Sequence, residues 1–437
     1  MAIDIAAVLD GCDDLAARTP NALARGMEGS AILAIASAVN VLSDRGVDIA
    51  NFTVGDFKPS QFSIPPALAD GITKHLEAGN TNYPPAIGIP ELRAAVRALY
   101  KRDLGLDYPE GCVQIGSGAR PPLYAAFMTV LEPGDIMVYG VPSWNNPYYA
   151  YLNGATAVGV ETRAENGFLP TVEDLAPHMR QARLICLNSP LNPAGTAMTK
   201  EQLQAICEAI VGENRRRSVI GDRPLILLYD QVYWQLVFGG TEHFTPVGLV
   251  PEMAKYTVFI DAISKCWAAT GVRLGWAVCP PWMRDRMKPL IGHMGAWAGR
   301  AEQHATAELL AEPERLGTWP ADFTEQVQVR LKTLRSGLLA MKADGLPVDA
   351  LEAQGALYLT VKFALLGKTL RGQPISTDDD IRRYLLEETH TAIVPFTAFG
   401  MTNNTGWVRF SIGAVSVEDI EASLGRIRTA LVRDLAG

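Results

Sequence analysis

The residues with the most chemical content lie in one run, Ser264-Lys265-Cys266-Trp267-Ala268-Ala269-Thr270-Gly271-Val272-Arg273-Leu274-Gly275. A lysine that forms a Schiff base with a carbonyl must be desolvated or sit near other positive charge, so that its amine is partly neutral and nucleophilic. Arg273, eight residues beyond Lys265, is a fixed cation whose planar fork can hold a phosphate through two hydrogen bonds. Taken alone, the run fits a surface lysine and a salt-bridging arginine beside a strand about as well.

Five other places carry compatible chemistry. The apolar run Leu225-Ile226-Leu227-Leu228-Tyr229 ends in Asp230, with Tyr233 three residues on. A carboxylate at the carboxyl edge of a buried strand lies where α/β folds place ligands. It can pair with a protonated pyridine nitrogen and keep that ring an electron sink; as a bland alternative it caps the next turn. Asn188-Ser189-Pro190-Leu191-Asn192-Pro193-Ala194-Gly195 follows another strand and reads first as a turn. Gly116-Ser117-Gly118-Ala119-Arg120-Pro121-Pro122 follows a strand and opens a helix, so Gly118, Ala119 and Arg120 offer an anion site at a helix N-terminus. Its spacing is not that of a dinucleotide-binding turn. Trp144 can stack on a flat ring or simply fill core, and Arg409, in Trp407-Val408-Arg409-Phe410-Ser411, needs an anionic partner if it points inward.

These residues need elements to hold them. Apolar spacing predicts a helix over 31–42, followed by a short strand over 48–54 that closes at Gly55. From about residue 110, β-branched runs at 112–115, 136–139, 184–187, 225–229, 257–260 and 274–278 alternate with helical patterns. That alternation predicts an α/β fold with a largely parallel sheet covered by helices on both faces. Phe323, Val327, Leu331, Leu334, Leu338 and Met341 predict one long helix over 321–343. Shorter α+β material follows, with strands at 356–361 and 408–412, a helix around 379–388 and a last helix from Val417. The expected organisation is a large domain over 62–310 and a small one built from 1–61 and 311–437.

Composition narrows the class. Of 437 residues, 48% are hydrophobic and 20% charged, which suits a globular enzyme, and the net charge of −8 argues against nucleic acid as a partner. The basic run Arg215-Arg216-Arg217 lies near Glu213 and Asp222 and reads as a solvated element. Six scattered cysteines without a C-x-x-C pair fit free thiols better than a metal site or a disulfide framework. The start lacks the order of a signal peptide, and the longest apolar stretch is too short for a membrane, so the expected location is cytoplasmic.

In this order and spacing the pieces resemble the class I and II aminotransferases of the aspartate-aminotransferase-like, fold-type I group, over most of the chain from about Gly29. Val54-Gly55-Asp56-Phe57 is similar to the family's N-terminal substrate loop, and Asn82-Tyr83-Pro84-Pro85-Ala86-Ile87-Gly88-Ile89-Pro90-Glu91-Leu92-Arg93 to its Y-x-P-x-x-G-x-x-x-L-R segment. The resemblance implies pyridoxal 5′-phosphate carried on Lys265, with Asp230 at the ring nitrogen, Asn192 and Tyr233 at the phenolic oxygen, and Trp144 against the ring. It places Gly118, Ala119, Arg120, Ser264 and Arg273 at the phosphate, and Tyr83 at the phosphate of a neighbouring subunit, hence a homodimer with shared sites. Gly55 and Arg409, with Trp144 and Asn192, would hold the substrate. The implied reaction is ping-pong transfer of an amino group between an L-amino acid and a 2-oxo acid.

The chain departs from the family pattern in three places. Ala262 stands where a phosphate-binding serine is frequent, Gln231 where glutamate is frequent, and Arg120 where a small or hydroxylated residue or a lysine is usual. Arg120 therefore either compensates at the phosphate or reads the substrate side chain. The departures leave open a lyase or cyclase, acting on an amino acid such as S-adenosylmethionine, as in the related 1-aminocyclopropane-1-carboxylate synthases. A cofactor-sensing regulator fused to a DNA-binding module is a third reading, disfavoured by the short N-terminal arm and the negative charge.

Overall fold

The computed structural model describes residues 2–10 and 12–435. Its largest sheet has seven strands: β1 (Val113–Gly116), β2 (Ile136–Val141), β3 (Thr156–Glu161), β4 (Ala182–Asn188), β5 (Ile226–Asp230), β6 (Thr257–Ala262) and β7 (Gly275–Val278). They lie in the order β1-β7-β6-β5-β4-β2-β3. Strand β7 is antiparallel to both neighbours, and the other pairs are parallel. Successive residues of the central strands feed opposite faces. Ile185, Leu187, Leu227, Tyr229 and Phe259 enter one core with Leu92, Val96, Leu203 and Ile210. Leu184, Cys186, Ile226, Leu228, Val258 and Ile260 enter another with Phe127, Met287 and Ile291. The sheet is therefore covered by helices on both sides, as its apolar runs predict.

A second sheet carries β8 (Val348–Ala350), β9 (Tyr358–Phe363), β10 (Val394–Pro395) and β11 (Trp407–Ser411), in the antiparallel order β10-β11-β9-β8. Helices at Trp319–Ala343, Asp378–Thr389 and Val417–Leu435 cover it through Phe323, Leu331, Leu385 and Ile427. Phe52, Phe57 and Phe62 from the other end of the chain join this core, whereas Ile32, on the helix Ala31–Asp44, joins the core of the larger sheet.

Two elements differ from expectation. Strand β3 was not predicted: Thr156-Ala157-Val158-Gly159-Val160-Glu161 is a half-exposed edge whose alanine and glycine weaken its alternation. The predicted strand over 48–54 shrinks to Ala50–Asn51, paired in parallel with Thr391–Ala392. Phe52 still pairs with backbone, donating to the Ala392 carbonyl and accepting from Ser411 N–H at 2.9 Å each, but at Thr53 side chains take over: its N–H donates to Asn51 Oδ1 at 3.0 Å and its carbonyl accepts from Arg409 at 2.6 Å. Buried backbone polar groups must be satisfied by some partner, and these are satisfied by side chains.

Candidate active site

Strands β4 and β5 end together, and their last residues, Asn188 and Asp230, line one side of a 590 Å³ cavity, with the turn after β6 beside them. Asp230 closes β5 opposite Asn188 on β4, and the Asn188 amide donates to the Asp230 carbonyl at 2.9 Å. Asn188 Oδ1 accepts from Asn192 N–H at 2.8 Å, which holds the following turn so that Asn192 lines the cavity. After β6 a single helical turn, Ile263–Cys266, carries Ser264 and Lys265 to the wall.

Two glycines let neighbouring loops close over this edge. A Cβ on Gly275 would lie 2.6 Å from the carbonyl carbon of Gly118, and Gly118 has φ +89°. A Cβ on Gly118 would lie 2.2 Å from Arg273 Nη2, so glycine there admits the guanidinium. Arg273 donates to the carbonyls of Thr270 at 2.6 Å and Ser117 at 3.1 Å. Helix Arg120–Val130 begins directly after Ala119, with proline in its first turn, and points its N-terminus at the same wall.

Arg409 reaches the cavity from the second sheet. Only 1% of its surface is exposed, and no carboxylate among the described residues lies within 4 Å of it. It donates to Asn192 Oδ1 at 3.0 Å and to the Thr53 carbonyl at 2.6 Å, while its Nε has no partner. Its guanidinium carbon lies 4.7 Å from the ring centroid of Tyr358 and 4.8 Å from that of Phe399. A buried guanidinium held in this way, with no carboxylate within 4 Å among the described residues, is suited to receive an anion.

Burial pushes the Lys265 amine down to about 8; Asp56 opposes the shift, and Arg409, Arg120 and Arg273 add to it. The amine donates to the Gly55 carbonyl at 2.5 Å and sits 6.0 Å from the Tyr233 ring centroid. Burial likewise raises the Asp230 carboxyl to about 6, against the Val232 N–H, which donates to it at 3.1 Å, and the charge of Lys265. A depressed amine facing a raised carboxyl in one cavity is the usual signature of a reactive site.

Of the residues singled out from the sequence, Gly55, Ala119, Arg120, Trp144, Asn192, Asp230, Tyr233, Ser264, Lys265, Arg273 and Arg409 all line this cavity. Gly118 lies behind Arg273, and Tyr83 lies elsewhere, 82% exposed with its ring centroid 5.2 Å from that of Trp297. The Arg120 guanidinium sits 5.6 Å from the Trp144 ring centroid. The departures behave differently from one another: Ala262 and Gln231 are buried away from the cavity, with Gln231 donating to Tyr100 Oη at 3.2 Å, whereas Arg120 faces into it. Sequence reasoning passed over Asn188, Asp56 and Tyr358. Asn188 heads a turn already noticed, and Asp56 follows Gly55 directly. Tyr358 has no local signal, since its partners lie far away in the chain.

The fold and the cavity define a fold-type I transferase, with a lysine, a buried carboxylate and a buried guanidinium gathered at one sheet edge. The family profile of aminotransferase class I and II matches residues 47–427, and the chain belongs to that family. A relative from Rhizobium leguminosarum bv. phaseoli, named a probable aspartate/prephenate aminotransferase, is 30% identical over 414 residues, covering 93% of this chain and 97% of the relative. The aspartate aminotransferase structure from Rhizobium meliloti superposes with a TM-score of 0.86 at 28% identity, covering 95% of this chain and 99% of that one. That of Thermus thermophilus aspartate aminotransferase with maleate gives 0.84 at 27% identity, covering 95% and 100%.

The protein is thus a pyridoxal-phosphate-dependent aminotransferase, acting between an amino acid and a 2-oxo acid. The residues present fit that cofactor. Arg273 spends its hydrogen bonds on carbonyls and has no carboxylate within 4 Å among the described residues, which leaves its charge for a phosphate. Asp230 offers a buried carboxylate and Lys265 a depressed amine in the same cavity, the two kinds of group that a basic ring nitrogen and a carbonyl carbon call for.

Proposed function

We propose that Lys265 carries the cofactor and that Asp230, Asn192, Tyr233, Trp144, Ser264, Arg273 and the Gly118-Ala119-Arg120 turn hold it. When bound, the cofactor supplies an electron sink for the bond broken at the substrate's α-carbon. Arg409 holds the α-carboxylate through its guanidinium, with Gly55 beside it. Lys265, once its amine is free, would take the α-proton as general base and deliver a proton as general acid. Asp230 keeps its charge against the ring nitrogen throughout. The observation that carries this reading is Arg409, buried in the same cavity as Lys265 without a carboxylate partner among the described residues.

The donor, we infer, has an acidic or aromatic side chain. Arg120 stands beside Trp144 in the cavity, with Ile32, Leu33 and Ala36 as an apolar wall, and no carboxylate among the described residues lies within 4 Å of it. The Rhizobium leguminosarum relative is named for aspartate and prephenate, and the Thermus structure holds maleate, a dicarboxylate. These names do not favour the lyase or cyclase alternative. The exposure of Tyr83 supports a homodimer in which it serves the neighbouring site. The core of Phe52 and Phe57 with residues 323–431 supports a small domain built from 1–61 and 311–437 around a cofactor domain over 62–310. No described helix is long and apolar enough to cross a membrane, and all six cysteines are free, which suits a cytoplasmic enzyme of amino-acid metabolism.

The test is the visible spectrum of the purified protein with single amino acids, then with 2-oxoglutarate. The yellow band should be lost with the true donor and restored by the oxo acid. Ammonia or a cyclised product without that exchange would point to the lyase chemistry, and no yellow band after added cofactor would end the reading.

A further inference from the structure

One hydroxyl at the centre of the cavity has no part in the roles assigned so far. Tyr358, on β9 of the second sheet, is fully buried and lines the cavity, with its oxygen 2.7 Å from that of Tyr233 on the large-domain side. A Cβ on Gly55 would lie 2.8 Å from the Tyr358 oxygen, so the hydroxyl also lies against the segment whose carbonyl receives Lys265. The Tyr358 ring takes the Arg409 guanidinium on its face, 4.7 Å from the centroid. One side chain therefore touches the group assigned to the cofactor oxygen and the group assigned to the substrate carboxylate.

Each phenol has one proton. In a pair that shares a single hydrogen bond, one oxygen donates and the other accepts, and the acceptor keeps its own proton for a third partner. If Tyr233 gives its proton to the cofactor's phenolic oxygen, the shared bond must run from Tyr358 to Tyr233. A phenol that accepts a hydrogen bond becomes a stronger donor in turn, because chains of hydrogen bonds polarise one another in a low-dielectric site.

We propose that Tyr358 is a positioning residue that donates to Tyr233, so that Tyr233 donates more strongly to the cofactor's phenolic oxygen, while its ring face seats Arg409. This rests on the reading that Tyr233 serves that oxygen. The charged groups that face the tyrosine pair are Lys265, Asp230, Asp56 and Arg409, and none of them hydrogen-bonds either hydroxyl. The effect is therefore carried by the shared bond and is separable from the charges around it.

The experiment is a pH titration of the holoenzyme's visible band in the wild type, Tyr358→Phe, Tyr233→Phe and the double variant. A donor to the phenolic oxygen favours its anion, which is most exposed when the lysine–cofactor linkage is unprotonated, so losing that donor should raise the pH of the transition. Tyr233→Phe should raise it most, and Tyr358→Phe by roughly a few tenths of a unit, the scale of cooperative strengthening in a hydrogen-bond chain. Adding Tyr358→Phe to Tyr233→Phe should move it no further. Because phenylalanine keeps the ring that seats Arg409, Tyr358→Leu should raise the amino-acid KM more than Tyr358→Phe does. A Tyr358→Phe transition at the wild-type pH beside a shifted Tyr233→Phe overturns the relay, and so does a shift from Tyr358→Phe that persists in the double variant. If Tyr233→Phe itself moves nothing, the assignment of Tyr233 falls instead.

Discussion

Lys265 donates its amine proton to the carbonyl of Gly55, a residue 210 positions earlier, at 2.5 Å. That bond joins the edge of the large sheet to a segment laced onto the second one, where Ser411 Oγ donates to the Val54 carbonyl at 2.6 Å. The lysine amine thus lies where the two sheets meet.

Lys265→Ala should lower the transfer rate by roughly a thousandfold or more, since it removes both the nucleophile and the proton carrier. Borohydride reduction of the wild-type holoenzyme, followed by peptide mass analysis, should place the added mass on Lys265. A label on any other lysine would refute the assignment.

The depressed Lys265 amine also has a consequence for the cofactor-free protein. A folded-state value of about 8 against an ordinary 10.5 means that folding disfavours the charged form. The associated stability is fully present above pH 10.5 and is lost as pH falls through about 8. Lys265→Met should therefore stabilise the cofactor-free protein at pH 7, by at most about 3 kcal/mol, and the gain should vanish by pH 10.5. Thermal melts across that range decide the matter, and a gain that does not depend on pH would show that packing is responsible.

Arg409→Ala should raise the KM of every amino-acid donor, with kcat/KM falling roughly a hundredfold or more. Arg409→Lys should recover little, because an ammonium cannot reproduce the fork held between Asn192, Thr53 and two aromatic rings. Steady-state kinetics with several donors would contradict this if the loss followed the side chain of the donor.

Arg120→Ala should do the opposite and discriminate. The loss should be about tenfold or more for dicarboxylic donors and small for apolar ones. A uniform loss together with weaker cofactor retention would place Arg120 at the phosphate. No change in either quantity would leave it without a role.

Shared sites predict complementation between subunits. Lys265→Ala and Tyr83→Ala chains, each inactive alone, should recover activity when mixed, because the hybrid dimer holds one site with neither defect. Mixed chains no more active than the parents would mean that Tyr83 serves its own chain or no site at all.

The sequence already held the large sheet, since runs such as Leu225-Ile226-Leu227-Leu228-Tyr229 admit few structures other than a strand buried on both faces. It also held most of the site, because Asp230, Asn192, Lys265 and Arg273 stand at strand ends, where local pattern and chemistry coincide. What the tertiary structure decided is what depends on distant partners. Tyr358 lies 125 residues from Tyr233, with nothing local to mark it, yet their hydroxyls meet across the two sheets. The segment after Asn51 has the pattern of a longer strand, but Asn51 and Arg409 claim the backbone groups of Thr53. Periodicity reports which face a residue presents and not what arrives there, so the contacts between sheets had to await the fold.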